Sequence, residues 1–110
     1  MNINVMARGM MTKRYTPEDF IQHVASMIEG QLQEWDAKYE VFLMKFQDYQ
    51  LVVKKGNIYY DVFITEEAVS RLQAEEAFML DRVIWLALQE QGLPIYKGLG
   101  NYMDKVFLGM

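Results

Sequence analysis

The sequence predicts a single α+β domain in the order α-β-β-β-α. A three-stranded antiparallel meander packs against two helices, and a short strand and helix follow at the C-terminus. Three observations carry this. A helical apolar period starts behind a cap signal at Thr16. Three short runs rich in aromatic and branched residues fill 39–65, separated by turn residues. A second helical pattern begins behind Thr65 and stops at Gly92-Leu93-Pro94.

At 110 residues the chain has the length of one domain, and at 52% hydrophobic it can bury a real core. It has no cysteine, which removes disulfides, thiolate metal sites and cysteine nucleophiles. This fits a reducing cytosol. The opening MNINVMARGMM lacks the apolar stretch of a secretory leader, and no run approaches the ~18 apolar residues of a membrane span. A cytoplasmic protein without a membrane partner is therefore expected.

Residues 1–10 show no period, and Met11 offers a second start, so residues 1–14 are expected to form a loosely ordered arm. Deleting the first ten should then change stability by no more than about 0.5 kcal/mol. From Thr16, the run Thr-Pro-Glu-Asp supplies an N-cap hydroxyl, proline at the first helical position and two acids facing the helix dipole. Phe20, Val24, Met27, Ile28, Leu32 and Trp35 follow on one face, giving a helix over residues 17–36. Gly30 inside it marks a bend or the close approach of another element.

Strands are expected over residues 39–46, 50–55 and 58–65. The Gly56-Asn57 linker suits a two-residue hairpin turn and pairs Lys55 with Ile58, Val53 with Tyr60 and Leu51 with Val62. A turn at Gln47-Asp48 sets Phe42 opposite Val53 and Met44 opposite Leu51. One face then collects Phe42, Met44, Leu51, Val53, Tyr60, Val62 and Ile64. The other holds Tyr39, Val41, Leu43, Val52, Lys54, Tyr59, Asp61 and Phe63, too apolar to be freely solvated. A second helix is expected over residues 66–91, with Val69, Leu72, Val83 and Ala87 on its stripe and Gly92 just past its end. Ile95–Lys97 suits an edge strand, and Asn101 suits the cap of a last short helix.

Few groups suggest chemistry. Lys97, Gly98, Leu99, Gly100 and Asn101 read as a glycine loop before a helix and form a candidate anion site, with backbone N–H groups as donors. The loop lacks the serine or threonine of a phosphate-binding loop, and Met103 stands where a dinucleotide fingerprint needs its third glycine. A simple turn is the favoured reading. His23, the single histidine, follows Asp19 by four residues, an orientation that serves a general base but more often marks an exposed helical contact.

The pairs Glu18-Asp19 and Glu66-Glu67 sit where helix dipoles want acids. Glu75 and Glu76 point about 100° apart, which does not converge on one ion. No metal, cofactor or catalytic residue is assigned. Net charge is −4, with both helices acidic, so nucleic acid is not the expected partner despite Tyr49, Tyr59, Tyr60 and Phe63 on the strands.

The stretch FMLDRVIWLAL, residues 78–88, is apolar almost all round and needs cover on more than one side. Either the rest of the chain covers it or a second copy does. The expected function is a non-catalytic protein-interaction or regulatory protein, homodimeric through Phe78, Asp81, Arg82, Trp85 and Leu86. An escort that binds an extended segment of another protein is the alternative, and a small-ligand or anion binder using the Lys97 loop is the third.

Overall fold

The computed structural model describes residues 1–96 and 101–108. The chain runs α1 (Val5–Arg14), α2 (Pro17–Trp35), β1 (Tyr39–Lys45), β2 (Tyr49–Lys55), β3 (Ile58–Ile64), α3 (Glu66–Glu75), α4 (Met79–Glu90) and α5 (Asn101–Val106). The α+β class and the antiparallel meander, in the strand order β1-β2-β3, are as the sequence predicts. Helices cover one face of the sheet. Phe20, Val24, Ile28 and Leu32 of α2 and Leu80, Ile84 and Leu88 of α4 are buried in one core with Leu51, Val53, Val62 and Ile64 of the strands.

Local chemistry explains most boundaries. Thr16 accepts from Asp19 N at 3.2 Å and Thr65 accepts from Ala68 N at 3.0 Å, so both hydroxyls cap as their spacing requires. Gly92, at φ +99, ends α4. Its N–H reaches Gln89 O, and Leu93 N reaches Leu88 O, the paired bonds of a Schellman cap that turns the buried Leu93 back onto the core. Among the described residues no helix is long and apolar enough to cross a membrane.

Four expectations need correction. Residues 1–14 are not a loose arm, because Val5–Arg14 is helical, capped by Asn4 accepting from Ala7 N, and it buries Arg8 completely. The helix expected over 66–91 is two helices, broken at Glu76, whose backbone is fully extended at φ −161 and ψ 164. The turn after β1 holds three residues, 46–48, rather than two, so Lys45 faces Tyr49. That moves the pairing by one, to Val41 with Val53 and Leu43 with Leu51, and sends Phe42 and Met44 to the outer face. Ile95 and Tyr96 belong to no strand, while Lys97, Gly98, Leu99 and Gly100 lie outside the described residues.

The β2–β3 register is as read from the sequence. Gly56 takes φ +61 while Asn57 is not left-handed, the pattern of a II′ turn with glycine at its first central position. Apart from its chain neighbours, no atom of the described residues lies within 4 Å of where a Cβ on Gly56 would sit, so a substitution there is opposed by backbone strain. Gly56→Val should therefore lower stability by about 1 kcal/mol or more, read as a shift in the urea midpoint at constant slope.

Candidate functional site

Two groupings stand out, one buried and one exposed. The buried one joins three helices. Arg8 of α1 grips Asp81 of α4 with both guanidinium ends, Nη1 to Oδ1 at 2.5 Å and Nη2 to Oδ2 at 3.1 Å. Nη1 also donates to Ala77 O at 2.9 Å, in the break between α3 and α4. Tyr102 of α5 donates its hydroxyl to Asp81 Oδ2 at 2.6 Å and accepts from Trp85 Nε1 at 3.2 Å. The rings of Phe78 and Phe20 flank the guanidinium, 4.7 and 5.6 Å from its carbon. Burial, then the neighbouring Asp81 charge, pushes the Tyr102 phenol well above its ordinary range, so it stays a donor at any ordinary pH.

Arg8, Asp81, Trp85 and Tyr102 are all fully buried, so this cluster presents nothing to a substrate and serves as a structural clamp. The sequence-derived interface is corrected accordingly. Phe78, Asp81 and Trp85 are covered by the chain's own α1, α2 and α5, with Trp35 packing 5.7 Å from Trp85. Arg82 is committed to Val106 O at 2.7 Å and to Glu76 at 3.2 Å. Of the five residues only Leu86 is exposed.

Asn101 is spoken for as well. Its side chain accepts from Ile3 N at 2.8 Å and donates to Ile3 O at 3.3 Å, pinning the N-terminus instead of awaiting an anion. His23 is half-buried rather than exposed, edge-on to Tyr15 at 6.5 Å, and its Nε2 has no hydrogen-bond partner among the described residues.

The exposed grouping is the outer face of the sheet. Phe42, Tyr59 and Phe63 are 46, 57 and 72% exposed there, around the half-buried Met44 and Val52. A depression of ≈ 560 Å³ runs over Phe42, Met44, Val52, Lys54 and Tyr59. Its polar members are engaged within the face: Gln50 donates to Asp61 at 3.1 Å, and Lys54 lies over the Tyr59 ring at 6.0 Å. Tyr49 and Tyr60, from the same sequence run, point into the helix-covered side. The sequence carries the signal for this face as an over-apolar alternate set, and the three-residue turn after β1 adds Phe42 and Met44 to it.

The two sheet edges differ. On β3 the Gln91 side chain takes both backbone groups of Asp61, accepting from its N at 3.0 Å and donating to its O at 2.6 Å. This closes the middle of that strand. On β1, Gln33 donates to Tyr39 O at 3.1 Å and Glu29 accepts from Val41 N at 2.9 Å. Protection stops there, and a groove of ≈ 360 Å³ follows between α2 and the strand, lined by Gln22, Ala25, Ser26, Glu29, Val41 and Leu43.

Comparison with known proteins adds no relative: no family model matches the chain, and no curated protein and no solved structure matches it.

The buried clamp and His23 each lead to a measurement. Removing one partner of a buried ion pair leaves an uncompensated charge, so Arg8→Met and Asp81→Leu should each cost about 3–5 kcal/mol in urea unfolding. The double variant should cost clearly less than the sum. For His23, burial and then the Arg8 charge lower its pKa below the ordinary 6.5. The unfolded chain then binds a proton that the folded protein resists, so stability is full above about pH 6.5 and falls as the pH drops below it. A melting-temperature profile from pH 7.5 to 5 should show this decline in the wild type and a shallower one in His23→Gln.

Proposed function

We infer that this is a non-catalytic protein-interaction protein that takes its partner on the outer sheet face. The observation that supports this is the exposure of Phe42, Tyr59 and Phe63, around Met44 and Val52, on one side of a sheet whose other side is filled by helices. An antiparallel sheet commonly leaves one face to solvent, but that face is then polar. Here Phe42, Met44, Val52, Tyr59 and Phe63 stand on it among Gln50, Lys54 and Asp61, and apolar surface interleaved with polar groups marks binding sites on proteins. Phe42, Tyr59 and Phe63 make no contribution to the core, so their retention on the surface is a cost in solubility without a gain in packing.

The two largest exposed rings on β3 give the test. Tyr59→Ser with Phe63→Ser should leave the melting temperature nearly unchanged, within about 0.5 kcal/mol, as surface substitutions do. Tagged wild type and variant are used to capture proteins from the organism's own extract, and both eluates are identified by mass spectrometry. The reading holds if proteins retained by the wild type disappear with the variant. Equal capture by both would place the binding surface elsewhere.

A further inference from the structure

Strand β1 carries an open, self-complementary edge, and we propose that a second copy of this chain pairs with it antiparallel about Leu43, joining two sheets into one of six strands. The hydrogen-bond pattern fixes which groups are free. Antiparallel partners alternate between pairs that exchange both backbone bonds and pairs that exchange none. Val41 gives its N–H to Glu29 rather than to β2, so Val41 and Leu43 are of the second kind and turn their backbone groups outward. Val41 O, Leu43 N and Leu43 O have no partner among the described residues, next to the groove beside α2. On β3 the equivalent central position, Asp61, is already closed by Gln91. An apolar edge with free groups is a template for another strand.

The sequence of β1 matches its own reverse in chemistry. With Leu43 paired to Leu43 of the second copy, Phe42 lies opposite Met44 of that copy, twice over on the outer face. That covers a ring left half-exposed in one chain and gives it a sulfur–aromatic contact. On the inner face the two Leu43 side chains meet at the axis, at the mouth of the groove beside Ala25 and Ser26. Val41 lies opposite Lys45 of the second copy, which brings that ammonium to the Glu29 carboxylate already seated on Val41 N. Both ion pairs form at once by symmetry, as an isologous contact requires. Lys45 has only weak partners to give up: Glu66, 3.6 Å away on an exposed surface, and the Tyr49 ring at 5.5 Å. The two outer faces would then form one platform, with Tyr59 and Phe63 of each copy still open. The pairing does not depend on what that platform binds.

Sedimentation equilibrium across micromolar concentrations should show a dimer for the wild type. Leu43→Pro removes only an outward N–H, which a strand edge tolerates, and should raise the dissociation constant about tenfold or more. The absence of native cysteine supplies a second readout that does not rely on that variant folding. Residues paired in this way have Cα atoms about 5.5 Å apart, within disulfide reach. Leu43→Cys should therefore crosslink into covalent dimers under mild oxidation, and Phe63→Cys should not. A wild type that is monomeric at every concentration overturns the proposal. So does a dimer that crosslinks through position 63 and not through position 43.

Discussion

The fold depends on one ion pair taken out of water. Arg8 and Asp81 are each fully buried, and each is held by more than the other: Ala77 O takes a third bond from the guanidinium, and the Tyr102 hydroxyl serves the carboxylate. Desolvating two charges costs several kcal/mol per ion, so such a pair adds little net stability over an apolar substitute. What it imposes is geometry. A guanidinium at this depth is tolerable only if α1, the break before α4, and α5 all arrive together. Helices too short to be stable alone are thereby held in one arrangement.

The break between α3 and α4 follows from the same constraint. Ala77 O is available to Arg8 because residues 76–78 leave the helix. Gln73 acts in parallel one turn earlier, donating to Tyr15 O at 2.8 Å and Thr12 O at 3.3 Å at the end of α1. The N-terminal residues are stitched in likewise. Met1 O accepts from Tyr102 N, and the Met1 side chain comes within 3.3 Å of where a Cβ on Gly30 would sit, so that glycine makes room for the chain terminus. These contacts cover the all-round apolar surface of α4 from within. The cover that a second copy was expected to supply at Phe78 and Trp85 comes from residues before Thr16, from Trp35 of α2 and from α5.

With the helices committed to one side, the sheet is left one-sided. Its β3 edge is closed by a side-chain amide that mimics a neighbouring strand, while its β1 edge is closed only as far as Val41. The rings of Phe42, Tyr59 and Phe63 are thus left exposed on the sheet, while Phe78 and Trp85 of the helical side are buried. The physical reason is that α1 and α5 occupy the space in which a helix-to-helix contact of two copies would have formed.

What the sequence determined by itself is what local rules decide within a few residues: the Thr16 and Thr65 caps, the Gly92 stop, the Gly56 turn and the β2–β3 register. Each rests on backbone geometry or a single nearby side chain. The helix α1 was not legible. Its one buried side chain is a charged arginine, and Met11 adds only a partly buried contact with the core, so no apolar period announces it. Asp81 lies 73 positions from Arg8, and Gln73 lies 61 and 58 positions from Thr12 and Tyr15, and neither carries a sign of its partner in the chain. The β1–β2 register needed the length of one loop, where three residues instead of two invert every side chain of β1. Only the tertiary structure could decide these, because long-range pairing of polar groups leaves no periodic trace, and a strand's two faces differ only in what is packed against them.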